Sequence, residues 1–135
     1  MPEAEREFLD MMKLNPALGF VLSDYYAIQK NYEKAFSLLE ELLKKNPDDY
    51  LALYQFGKTS VLTGQQFDRA EGYLKRYLSY EPKENEPTIA AANLLLAKIY
   101  EKTGNKTEAG KYYRIALSED EHLKEAREGL ERVSE

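Results

Sequence analysis

The chain carries few of the side chains that do chemistry. His122 is its one histidine, and cysteine is absent. An imidazole or thiolate cluster for zinc, a disulfide and a thiolate nucleophile are therefore all excluded. Three carboxylates stand in a row at Glu119, Asp120 and Glu121. Adjacent residues of a helix do not face one another, so these three do not converge on one ion; they read as a solvated helix boundary. His122 follows them and is expected at the surface. No serine–histidine–acid set and no glycine-rich phosphate loop is present, so neither an enzyme nor a cofactor or metal is expected. Asn105-Lys106-Thr107 matches a glycosylation acceptor, but the expectation is a plain turn.

Two further chemistries fall on charge and hydropathy. Eleven tyrosines could stack bases, but single-strand binding also needs a basic groove. The 19 Lys and Arg are interleaved with 24 Asp and Glu, for a net charge of −5. No nucleic acid is expected, and the tyrosines read as packing residues. No stretch approaches the roughly 20 apolar residues of a membrane span. Met1 to Asp10 is acidic and lacks the basic and apolar regions of a signal peptide, so a cytoplasmic protein is expected, with no membrane partner.

What positions any site is a repeated unit. Hydrophobic residues are 43% of the 135, enough to predict one folded domain rather than a disordered chain. Three segments align, each an apolar helical stretch, a turn, an alanine and a second helical stretch. The first has Leu22, Tyr26, Tyr32, Ala35, Leu39, Leu42 and Pro47. The second has Phe56, Gly57, Ser60, Phe67, Ala70, Leu74, Tyr77 and Pro82. The third has Leu96, Ala97, Tyr100, Ala109, Tyr113 and Ala116, with Glu121 where proline stands in the others. Leu22 to Phe56 is 34 residues, Ala35 to Ala70 is 35 and Phe56 to Leu96 is 40. The excess residues fit two polar stretches, Thr63-Gly64-Gln65-Gln66 and Lys83-Glu84-Asn85-Glu86-Pro87. Loops tolerate such insertions.

The local signals agree. Ala35, Leu38, Leu39, Leu42 and Leu43 form a helical stripe within a predicted helix from Tyr32 to Lys44. Pro47 disfavours helix at Asn46, and Asp48 or Asp49 can cap the next helix. Gly64 and Gly104 follow first-helix stretches, where a left-handed residue is wanted. Thr88 to Lys102 is apolar nearly all round, as a helix packed on two sides should be. Asp120 to Glu135 reads as a polar capping helix with Leu123, Ala126, Leu130 and Val133 inward. Pro2 to Lys13, with Ala4, Phe8, Met11 and Pro16 in second-helix spacing, reads either as half of an upstream repeat or as a leading cap.

These residues and spacings resemble the tetratricopeptide repeat family, a helix–turn–helix repeat of about 34 residues. The likeness runs from Pro16 to Asp120, although Gly19, Leu53 and Asn93 stand where the family has tryptophan. It implies an all-α, right-handed solenoid of about three hairpins. The expected units are a leading helix at 2–14, repeats at 16–48, 50–83 and 88–121, and a capping helix at 122–134. It also implies a non-catalytic scaffold that holds a partner protein's peptide or helix on a concave surface lined by first helices. Carried over, the lining positions are Ala17, Phe20, Asp24 and Ala27; Leu51, Tyr54, Lys58 and Val61; and Ala91, Leu94, Lys98 and Glu101. Phe20, Asp24, Tyr54, Lys58, Leu94, Lys98 and Glu101 are the candidate site, with the lysines placed to neutralise an acidic group. The chaperone-binding subfamily clamps a carboxylate at positions held here by Phe20, Asp24, Ala91 and Leu95. The clamp is missing, and chaperone C-terminal tails are not expected as partners. A structural module that associates with itself or with further repeats is the alternative.

Overall fold

A computed structural model describes residues 19–135, and residues 3, 6, 7, 10 and 11 ahead of them; of Gly19 and Phe20 only the backbone is described. Glu3, Arg6, Glu7, Asp10 and Met11 are helical. Ala4, Phe8, Pro16 and Ala17, which the sequence reading used, lie outside the described residues.

Seven helices follow among the described residues: α1 (Gly19–Ile28), α2 (Tyr32–Lys45), α3 (Tyr50–Thr63), α4 (Phe67–Tyr77), α5 (Ile89–Lys102), α6 (Lys106–Glu119) and α7 (Lys124–Val133). Four of their starts, those of α2, α3, α5 and α6, are set by side chains that satisfy free N–H groups of the first turn. Asn31 accepts from the Lys34 amide at 3.4 Å, Asp49 from Ala52 at 3.2 Å, Thr88 from Ala91 at 3.0 Å and Asn105 from Glu108 at 3.2 Å. Asn105 thus spends its side-chain oxygen on a helix start within a turn. The first helix of each hairpin is followed by a left-handed residue. Gly64 ends α3 at φ 74° and Gly104 follows α5 at φ 86°. After α1 the same role falls to Lys30 at φ 59°, a conformation that costs a side-chain-bearing residue about 1–2 kcal/mol.

The helices pair as α1/α2, α3/α4 and α5/α6, and α7 packs on α5 and α6. The fold is an all-α solenoid of helix hairpins. Ala35, Ala70 and Ala109 are fully buried, as close helix approach requires. Leu39, Phe56, Leu74, Tyr77, Leu96 and Tyr113 are fully buried as well; burying such a side chain contributes about 1.5–3 kcal/mol. First helices also touch in succession, α1 with α3, α3 with α5 and α5 with α7; second helices have no comparable contact. The first helices thus stand closer to one another than the second helices do.

The capping helix differs from expectation at its start. It begins at Lys124, not near Asp120, because Asp120 turns the chain: its carboxylate accepts from the His122 amide at 3.0 Å. The 83–87 insertion is also more than a polar loop. Tyr77 donates to the Pro87 carbonyl at 2.7 Å, and Glu86 accepts from the Tyr80 hydroxyl at 2.5 Å and the Lys83 amide at 2.8 Å. Tyr80 in turn stacks on Tyr50, with ring centroids 4.3 Å apart.

Candidate functional site

The face formed by the first helices is built by register. Steps of 34, 40 and 34 residues connect Asp24, Lys58, Lys98 and Arg132, so these occupy one place on α1, α3, α5 and α7. Ala27, Val61 and Glu101 share a second place, and Ile28, Leu62 and Lys102 a third. Residues three and four apart on a helix share a face, so these columns run side by side across the array.

Asp24 is half-buried, and its carboxylate accepts from the Gln55 side chain of α3. Tyr54 is half-buried with its ring 5.4 Å from that of Tyr77, and burial pushes its phenol above the ordinary tyrosine range. Lys58 is exposed and makes no ion pair among the described residues. Lys98 is half-buried and pairs with Glu125 of α7. Glu101 accepts from the Tyr113 hydroxyl at 2.5 Å and from Arg132 Nε and Nη2 at 2.9 and 3.1 Å. The Arg132 hydrogen bonds hold the Glu101 carboxyl below the usual range, outweighing the upward push of partial burial.

Two candidate positions need correction or restriction. Leu94 does not line the groove. It is 9% exposed and joins the central apolar cluster, on a helix packed by α3, α4, α6 and α7. The side chain of Phe20 lies outside the described residues. The clamp position at Leu95 is likewise closed, since that residue is 7% exposed.

An open pocket of about 570 Å³ lies between α3, α5 and α7. Val61, Leu62, Lys98, Glu101, Lys102 and Arg132 line it, and Leu62 is 67% exposed. Leu62, Lys102 and Arg132 were not singled out in the sequence. The signal for Arg132 was present, one 34-residue step beyond Lys98. Leu62 and Lys102 lie one residue beyond Val61 and Glu101, in the last turn of each first helix.

Stacked antiparallel helix pairs, with one helix of each pair along a common face, define a helical-repeat solenoid, a class that offers an extended surface. Two tetratricopeptide repeat models match the chain, one over residues 26–87 and one over 59–123. The chain belongs to the tetratricopeptide repeat family. These repeats generally mediate protein–protein interactions, and the family is generally a non-enzymatic scaffold. No curated protein matches the chain.

Proposed function

We propose that this protein is a non-catalytic scaffold that seats a peptide or helix of a partner protein on the inner face of α1, α3 and α5. The observation that carries this reading is the pocket beside α3, where Leu62 stands open to solvent next to the half-buried Val61. An exposed leucine is ordinary by itself. This one stands in a concave site rimmed by charge, the arrangement of a binding surface. Asp24, Tyr54, Lys58, Lys98 and Glu101 flank the same face and supply polar contacts and aromatic area.

The double substitution Tyr54→Ala with Lys58→Glu should weaken capture of a partner recovered with the wild-type protein, with helicity unchanged. Pull-down and titration of both forms against that partner provide the check. Equal affinity would remove the inner face from the reading.

One observation favours a second reading, association through the α1 end. Steps of 34, 40 and 34 residues connect Val21 to Gln55, Leu95 and Gly129. The later three are buried against the preceding hairpin, whereas Val21 is 37% exposed. Sedimentation over a range of concentrations separates the two readings, since a strict monomer rules out self-stacking.

A further inference from the structure

We propose that the pocket between α3 and α5 takes an acidic, amphipathic segment of its partner, with an apolar side chain on Val61 and Leu62 and carboxylates on Lys58 and Lys102. This rests on the inner face being the binding face and adds the chemistry of the occupant.

The lining carries three cations, Lys98, Lys102 and Arg132, against one carboxylate, Glu101. That carboxylate is spent, because Arg132 holds both its oxygens. Lys98 is spent on Glu125. Lys102 makes no ion pair among the described residues, and neither does Lys58, which stands one turn from Leu62 on the same face of α3. Two lysines outside any described ion pair thus flank an exposed apolar floor, in a chain whose net charge is −5. Within the pocket a basic segment would meet lysines, while the one lining carboxylate, Glu101, is already held by Arg132; like charges across an interface select against a partner. A nucleic acid would leave Leu62 without an apolar counterpart and would find only two open cations, too few for a run of phosphates.

The test is fluorescence anisotropy on the purified protein with three labelled helical peptides. All carry leucine on one face; the other face is glutamate, glutamine or lysine. The glutamate peptide should bind at least about tenfold tighter than the lysine peptide and weaken as salt rises. Lys58→Glu, Lys102→Glu and Leu62→Asp should each weaken it about tenfold. All three positions are exposed, so circular dichroism should find the fold unchanged. Lys45→Glu, on the exposed surface of α2, should leave binding as it is. Absence of saturable binding by the glutamate peptide would overturn the proposal. So would equal binding of the lysine peptide, or indifference to Lys58→Glu and Lys102→Glu. If the glutamine peptide binds as well and Leu62→Asp abolishes it, the acidic assignment falls and the inner face stands. If the glutamate peptide binds and none of the three substitutions matters, both readings fall together.

Discussion

Two glycines show how closely the elements approach at single positions. A methyl added at Gly129 of α7 would come within 2.2 Å of the Tyr113 ring, and one at Gly57 of α3 within 2.5 Å of Leu74. Tyr113 and Leu74 are both fully buried and have no solvent to retreat into. Gly72 on α4 is the opposite case, exposed in mid-helix with nothing within 4 Å of an added methyl. Gly129→Ala is therefore expected to destabilise the fold by about 1–3 kcal/mol through overpacking. Gly72→Ala should stabilise it by roughly 0.5–1 kcal/mol, because alanine has less backbone freedom to lose. Urea unfolding of both variants reads the two signs, and a shift in one common direction would contradict the packing described. Gly57 could be recognised in the sequence as the small residue of the repeat. Gly129 could not, because its need comes from the bulk of a tyrosine on another helix.

At the scale of elements, α7 is held by charge as well as by apolar contact. Tyr113 of α6, Glu101 of α5 and Arg132 of α7 meet at one carboxylate. Glu101 has its folded pKa depressed, chiefly by Arg132. Its contribution is therefore present above the unfolded glutamate pKa of about 4.3, and is lost as pH falls through the lower folded value. Acid should loosen α7 from the array below about pH 4, seen as loss of near-ultraviolet tyrosine dichroism. Glu101→Gln should flatten that acid-dependent change and lower stability at neutral pH; an acid profile identical to wild type would exclude the mechanism. This contact also explains how much of the site was legible. Helix register placed Lys58, Lys98 and Glu101 on one face, because period is a property of the sequence. Which of them stay available depends on partners 27 and 31 residues away, Glu125 and Arg132, and no local pattern reports that. Leu94 was misplaced for a related reason: its register is that of Tyr54, but it is drawn into the central apolar cluster while Tyr54 stays half-buried, a difference that register does not report.

The whole molecule is a stack in which each hairpin touches its neighbours, so its stability should follow a nearest-neighbour pattern. Leu130 and Val133 of α7 pack against the central cluster. Replacing both with serine should remove hydrogen-exchange protection strongly from α5 and α6, weakly from α3 and α4, and least from α1 and α2. Equal loss throughout would mean that the array unfolds only as one unit. The architecture was legible because it is written three times, with alanines at close approaches and glycines at two of the three hairpin turns. The rivets between hairpins were not, because they join residues whose spacing has no period. The connection from α4 to α5 is the clearest of these. As the longest loop among the hairpins it would be the natural slack in a chain under tension. Tyr77 and Tyr80 bolt it down through Pro87 and Glu86, with Tyr50 stacked behind. A load drawn along the array therefore passes from α4 to α5 without lengthening the joint, and the added residues act as a splice rather than a hinge.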